Sequence, residues 1–294
     1  MLEGLPEKGP LLECRHKNKI ACSGFRLVPN SKRSIKTLPV VCSSQVGDRL
    51  RVSGVRDEDI GNTRLSLTDG ITLLMLKIHF FNVAEGDAIL LEYGDKTGTF
   101  RVLVDAGRSD LPESSGSMRH TADHYLKKMH INFIDILVIT HFHVDHIQNL
   151  SEIIKTVHFG SIFSTYFPPD PSVRIKDIPS ELKAVRELPR DLNTIAECML
   201  SANKTGTQKI LVTEDTLIPM PNIYGSILIR APKGGLLDFQ NSVYDQLFAG
   251  VSLPETDIYR AAKSRNNNSL RLLIRYAERI TALDGDYYAA DAEN

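Results

Sequence analysis

Three histidines and one aspartate stand together in the segment His141-Phe-His-Val-Asp-His146. His141 and His143 are two positions apart, so both imidazoles can reach one metal ion. Asp145 and His146 can face a second ion close to the first. Imidazoles this close together would repel one another once protonated, whereas a divalent cation needs them neutral and adjacent. The spacing therefore predicts a metal site rather than a run of ordinary loop histidines, and imidazole with carboxylate favours zinc over iron or manganese.

Two adjacent ions of this kind predict hydrolytic chemistry. The ions would share a hydroxide, lower the pKa of its parent water toward neutrality and polarise the electrophile that it attacks. Asp145 is a candidate to accept the proton of the nucleophile, and a role as ligand alone is equally consistent with the sequence. The chain has neither the G-x-S-x-G elbow of a serine hydrolase nor a G-x-x-x-x-G-K-[ST] phosphate loop.

The segment just before the histidines predicts the element that positions them. Residues 135–140 are mostly apolar and β-branched, which is typical of a buried strand. The end of a strand is a rigid mount, and the loop that leaves it can turn several side chains back over the edge of the sheet. Apolar residues then recur between positions 147 and 157 at helical spacing, which predicts an amphipathic helix behind the loop.

The remaining pattern alternates between strands and helices. Strands are predicted at 76–81, 88–93, 100–104, 209–212 and 226–230, with a closing hairpin at 270–276 and 279–283. Helices are predicted from Ala122 to Met129, at 181–188 and at 191–202. This order predicts an α/β fold built in layers.

Residues 1–74 differ from the rest of the chain. They carry 12 basic and eight acidic side chains, show no sustained period and are interrupted by prolines. We predict an irregular basic N-terminal extension at 1–74 and a hydrolase domain at 75–294. The candidate zinc ligands of the extension are Cys14, His16, Cys22 and Cys42. Their spacing forms no C-x2-C or C-x4-C hairpin, so a solvated tail is favoured over a zinc knuckle or a nucleic-acid arm.

Composition excludes several classes of protein. The chain of 294 residues has a net charge of −1 and four cysteines, which argues against a uniformly basic nucleic-acid binder and a disulfide framework. No run of 18 apolar residues occurs, so no membrane association is predicted. The first residues lack the order of a signal peptide, and we therefore expect a cytoplasmic protein. The sequence indicates no oligomeric state.

The histidine segment resembles the signature of the metallo-β-lactamase superfamily. Further blocks lie in the family order at 80–88 (FFNVAEGDA), 103–107 (LVDAG), 266–270 (NNNSL) and 283–286 (LDGD). Together they are similar to the metallo-hydrolase domain of the DNA-uptake competence proteins and their free-standing cytoplasmic relatives. The resemblance covers residues 75–294 and implies a four-layer αββα sandwich with its metals at one edge of the two sheets. It also implies a zinc-dependent hydrolase, acting on a small-molecule or nucleic-acid phosphodiester or on another ester-like bond.

The resemblance implies a role for each site residue. His141 and His143 would bind the first ion, and Asp145 and His146 the second. Asp286 would supply the carboxylate that bridges the two ions. Asp105, at the end of its strand, would orient the ligand histidines.

Two departures from the family pattern leave an alternative open. No histidine follows His158, so the third ligand of the first ion is missing, and the chain stops eight residues after Asp286. The resemblance therefore implies a domain that is incomplete at its C-terminus and lacks the final strands. The alternative function is a catalytically inactive remnant or binding module of the same fold. His79 and His158 are predicted to be packed core histidines rather than ligands.

Overall fold

The computed structural model describes residues 11–15, 19–23, 41–44, 75–81, 83, 86–94, 98–108, 121–221, 225–276 and 279–286. Its strands are β1 Leu11–Arg15, β2 Lys19–Ser23, β3 Val41–Ser44, β4 Met75–Phe80, β5 Ile89–Gly94, β6 Thr99–Val104, β7 Phe133–Val138, β8 His158–Ser164, β9 Gln208–Leu211, β10 Thr216–Pro219, β11 Gly225–Arg230, β12 Arg271–Tyr276 and β13 Arg279–Leu283. Its helices are α1 Ala122–Lys128, α2 Val144–Ile147, α3 Leu150–Ile153, α4 Lys183–Thr205, α5 Leu236–Phe248 and α6 Glu255–Lys263.

The strands form two sheets. Seven of them make a mixed sheet in the order β3-β4-β5-β6-β7-β8-β9, in which β6 to β9 run parallel. The other six make an antiparallel sheet in the order β1-β2-β13-β12-β11-β10. The chain is thus a mixed α/β fold, as the order of predicted elements indicates.

Alternation along the strands divides the core into two parts. On β5, Leu90 faces a cluster shared with the helices, whereas Ile89 and Leu91 face a cluster shared with β11 and β12 of the other sheet. Successive side chains of a strand point to opposite faces, so the mixed sheet is covered on both sides. Each of the helices described contributes to the first cluster. The described layers are therefore helices, mixed sheet and antiparallel sheet.

Hydrophobic burial holds these layers together. Leu90, Leu103 and Leu137 are fully buried between the mixed sheet and the helices. Each such side chain contributes roughly 1.5–3 kcal/mol relative to an exposed one. The longest described helix, α4, has an apolar face and a charged face, and no helix among the described residues is both long and apolar enough to cross a membrane.

Most predicted strands are confirmed to within a residue or two, whereas the helices differ more. The two helices predicted at 181–188 and 191–202 form the single helix α4, which runs through Pro189. Its buried face, from Val185 to Met199, is continuous across the proline, and this packing outweighs one lost backbone hydrogen bond. The helix predicted between 147 and 157 divides into the short helices α2 and α3. The sequence did not predict α5, α6, β8 or β10.

The predicted irregular extension at 1–74 contains three short strands, so that prediction is wrong for β1, β2 and β3. β3 pairs with β4, and β2 meets β13 at Thr281. Strand pairing uses main-chain groups and does not require alternating side chains, which explains why the hydrophobic pattern did not predict these strands. Most of the extension, the turn predicted at 277–278 and residues 287–294 lie outside the described residues. The division of the chain at Met75 stays a prediction.

Candidate metal centre

Two parallel strands bring the parts of the site together. β6 and β7 are neighbours with Val104 opposite Val138, so their carboxyl ends meet at one edge of the mixed sheet. Asp105 follows β6 with a left-handed φ of 53°, and its amide donates to the carbonyl of Val138. Its carboxylate accepts hydrogen bonds from Thr140 N at 2.8 Å and from Thr140 Oγ1 at 2.6 Å. Asp105 thus fixes the backbone at Thr140, directly before the loop of residues 141–146.

The same carboxylate fixes His146. Nδ1 of His146 donates to Asp105 Oδ2 at 2.8 Å, and both side chains are wholly buried. The amides of Ala106 and Gly107 also donate to the carbonyl of His146, at 2.7 and 3.2 Å. Because the proton lies on Nδ1, the Nε2 atom keeps its lone pair available for a metal ion.

Thr140 fixes the tautomer of His141 in a similar way. The hydroxyl of Thr140 gives its only proton to Asp105, so it must act as acceptor toward His141 Nδ1, 3.0 Å away. His141 is therefore protonated on Nδ1 and presents the lone pair of Nε2. Thr140 was not predicted as a site residue. A hydroxyl residue directly before the first histidine was the signal that could have indicated its role.

The predicted ligands converge on one place. His141, His146 and Asp286 each offer an atom, and these atoms lie within 4.8 Å of one another. His146 Nε2 is 3.5 Å from Asp286 Oδ2 and 3.8 Å from Asp145 Oδ2. The ring of His143 stands at right angles to that of His141, with the centroids 4.8 Å apart. All five residues thus border a single region, with His141, His146 and Asp286 at its centre.

The residues fit a bound cation. Nε2 of His141 and Nε2 of His146 are both buried, and neither has a hydrogen-bond partner among the described residues. A buried polar atom without a partner costs about 1–3 kcal/mol, and a metal ion would remove that penalty for both atoms at once. Two imidazoles and a carboxylate form a donor set that divalent transition metals accept. This group could therefore hold a metal ion.

The local charges act differently on the three histidines. Burial, followed by the neighbouring histidines, holds the pKa of His141 well below its usual value. Burial and the guanidinium of Arg265 lower the pKa of His143 to about 3. Burial alone would also lower the pKa of His146, but its contacts with Asp105 and Asp286 raise it well above the usual value. His141 and His143 are consequently neutral, as metal ligation requires, whereas His146 favours a second proton on Nε2, facing Asp286, which a metal ion would displace.

A buried arginine, Arg265, contacts the loop of residues 141–146 that carries the predicted ligands, here called the metal loop. It was not predicted from the sequence. Arg265 Nη1 donates to the carbonyl of Phe142 at 2.7 Å and to Asp191 Oδ2 at 2.8 Å. Its Nε donates to the carbonyl of Ala262 at 2.9 Å. Since Phe142 lies between two predicted ligands, Arg265 ties the loop to helices α4 and α6. No local pattern could indicate this contact, because Arg265 lies far along the chain.

The histidines predicted to lie outside the site do so. His79 is buried and contacts Glu92 Oε2 at 3.0 Å and the ring of Tyr125, as predicted for a core histidine. His158 begins β8 and is exposed, so the prediction that it packs in the core is wrong. It lies on the exposed side at the start of the strand, where Phe159 is buried and Gly160 is exposed again.

A cleft of about 430 Å³ opens beside the predicted metal ligands, two of which, His143 and Asp145, line it. The charged and imidazole side chains that line it include Arg108, His143, Asp145, Lys183, Glu187 and Arg190. The region of the predicted ligands is thus accessible to a molecule from solvent on the side of His143 and Asp145.

The chain matches no model of a known protein family, and a search of curated proteins finds no significant match.

Proposed function

We propose that the chain is a zinc-dependent hydrolase with a metallo-β-lactamase-like fold, acting on a phosphodiester or another ester-like bond. The observation that carries the proposal is the pair of buried Nε2 atoms of His141 and His146, which face Asp286 and lack partners among the described residues. The helices, the mixed sheet and the antiparallel sheet account for three layers, αββ, of the four-layer αββα form, and the position of the predicted ligands at the end of the parallel strands supports it.

The side chains divide into two groups. His141 and His143 would hold one zinc ion and Asp145 and His146 a second, with Asp286 beside both; the ligand atoms of His141, His146 and Asp286 lie within 4.8 Å of one another, and His143 and Asp145 line the cleft. When bound, zinc lowers the pKa of a water molecule and polarises the bond to be cleaved. Asp145 is partly exposed, and its Oδ2 lies 3.8 Å from His146 Nε2. From this position it can accept the proton of the attacking water.

The cleft offers cationic side chains to an anionic substrate. Arg108, Lys183 and Arg190 line it together with two of the predicted ligands. Glu187 and Asp191 also border the cleft, and Asp191 is paired with Arg265 and Arg190, so the lining charges are mixed. Cationic side chains concentrate anions in a cleft, and a phosphodiester is the ester-like substrate that carries a permanent negative charge. Both a small molecule and a nucleic acid satisfy this requirement.

The test combines metal content with activity. The full chain should bind zinc and hydrolyse bis(p-nitrophenyl) phosphate, and a chelator should abolish the hydrolysis. His141→Ala should lose zinc and activity, Asp145→Ala should lose most activity, and His158→Ala, the exposed control, should keep both. A chain that binds zinc without any turnover would favour the inactive binding module, and a chain that binds no zinc would refute the metal site.

A further inference from the structure

The loop between α6 and β12 lies directly against the metal loop. The amide of Leu270 donates to the carbonyl of Thr140 at 3.0 Å, and Arg265 donates to the carbonyl of Phe142. These two bonds hold both ends of residues 265–270 beside the strand end that carries the ligands. Asn266 therefore cannot move away from the site without breaking buried hydrogen bonds.

Asn266 turns its side chain toward a predicted ligand. Its amide interacts with the imidazole of His143. Its Oδ1 atom is buried, yet it accepts no well-formed hydrogen bond in the part of the chain that the structure describes. Nε2 of His141 is likewise buried and without a hydrogen-bond partner among the described residues. The buried Oδ1 of Asn266 and the buried Nε2 of His141, whose ring contacts that of His143, are two donor atoms that a cation held beside His143 would satisfy.

Among the neighbouring side chains of the loop, Ser269 also has a buried oxygen without a hydrogen-bond partner among the described residues, whereas Asn268 and Ser264 do not. Asn268 donates from Nδ2 to Gln240 Oε1 at 2.9 Å, and Ser264 donates to the same oxygen at 3.0 Å. Both are thus committed to a separate buried network. Asn267 lies between Asn266 and Asn268 and has the same side chain as Asn266, which makes it a matched control.

We propose that Oδ1 of Asn266 is the third protein ligand of the ion held by His141 and His143. This inference rests on the proposed zinc site and adds a ligand where the chain has no further histidine. A neutral amide oxygen is a harder donor than imidazole nitrogen. The first ion would therefore be held less tightly than by three imidazoles, and this position would discriminate less between zinc and manganese.

Zinc binding to the full chain tests the proposal without any measurement of turnover. Competition with a chromophoric chelator gives the affinity of each ion, and the visible spectrum of the cobalt(II) form reports its ligands. Asn266→Ala should weaken one of two zinc ions by tenfold or more, the scale on which even residues behind the ligands act. Asn266→His should bind that ion at least tenfold more tightly than the wild type and shift the cobalt bands. Asn267→Ala should match the wild type.

The outcomes separate this inference from the proposed function. If the wild type binds no zinc, the proposed metal site itself is refuted, and the ligand proposal is refuted with it. If the wild type binds zinc and Asn266→Ala binds it equally well, only the role of Asn266 is overturned. An equal loss in Asn267→Ala would overturn it as well. Should Asn266→Ala fail to fold by circular dichroism, Asn266→His decides, because an affinity below that of the wild type would contradict ligation.

Discussion

Asp105 and His146 share a hydrogen bond of 2.8 Å between two side chains that solvent does not reach. The same carboxylate receives both donors of Thr140, whose hydroxyl in turn accepts from His141. One aspartate therefore sets the tautomers of two histidines, directly for His146 and through Thr140 for His141. Both Nε2 atoms face the cluster as a result.

Replacing Asp105 by Asn should weaken metal binding. An amide in that place can present a donor to His146 Nδ1, which moves the imidazole proton to Nε2 and blocks the lone pair that the ion needs. We expect zinc affinity to fall by about tenfold to a hundredfold, measured by chelator competition. Asp135→Asn is the control, since Asp135 accepts a bond from Arg101 N away from the cluster. Unchanged affinity in the Asp105 variant would contradict the tautomer argument.

The central part of the site was predictable because its information is local. A buried strand followed by His141 to His146 places the histidines at a sheet edge, and the parallel pairing of β6 with β7 adds Asp105. Asp286 needed the resemblance, because its approach to His146 depends on the closing hairpin. Arg265 and Asn266 were given no role, since only the packing of the α6–β12 loop brings them to the metal loop.

The elements of the fold also divide into those that the local sequence predicts and those that depend on distant contacts. Strands with alternating or β-branched residues were predicted, because their apolar side chains face one or both of the two core clusters. The strands β1 to β3 were not, since main-chain pairing at a sheet edge requires no side-chain period. The continuity of α4 through Pro189 depends on its packed face and not on helix propensity.

Gly86→Ala should disturb the site through the backbone of Asp145. A Cβ at position 86 would stand 1.9 Å from the carbonyl oxygen of Asp145, and the φ of Gly86 is +73°. Gly250 has the same φ with no atom within 4 Å, so Gly250→Ala carries the conformational strain alone, about 1 kcal/mol. We expect Gly86→Ala to lose clearly more stability than Gly250→Ala in urea denaturation and to bind zinc more weakly. Equal losses would show that the loop accommodates the methyl group.

Arg265→Met should destabilise the fold strongly. The substitution leaves the carboxylate of Asp191, 2% exposed, without its buried partner and removes a donor from the carbonyl of Phe142. Breaking one side of a buried ion pair costs about 3–5 kcal/mol, measurable by denaturant unfolding. Arg190 pairs with the other oxygen of Asp191 but is half exposed. Arg190→Met should therefore lower the free energy of unfolding by less than about 1 kcal/mol.

A double variant separates the two contributions of Arg265. Arg265→Met with Asp191→Leu removes both charges, so it should be more stable than Arg265→Met alone. If the double variant is as unstable as the single one, the bond to Phe142, and not the charge of Asp191, dominates.

Glu92 should make stability depend on pH in the acid range. Hydrogen bonds from His79 and Arg101, both at 3.0 Å, lower the pKa of Glu92 below its ordinary value of 4.5 although burial opposes them. A group whose folded-state pKa is lowered stabilises the fold fully above its unfolded pKa, and this stability is lost as the pH falls through the folded pKa. Glu92→Gln should therefore be about 1 kcal/mol less stable than the wild type at pH 7, and the difference should shrink as the pH falls below 4.5 and vanish once Glu92 is protonated in the folded state. Denaturant unfolding from pH 2.5 to 7 measures it, with the exposed Glu181→Gln as control. A difference between wild type and Glu92→Gln that stays constant across this range would mean that packing, and not the charge of Glu92, accounts for the loss.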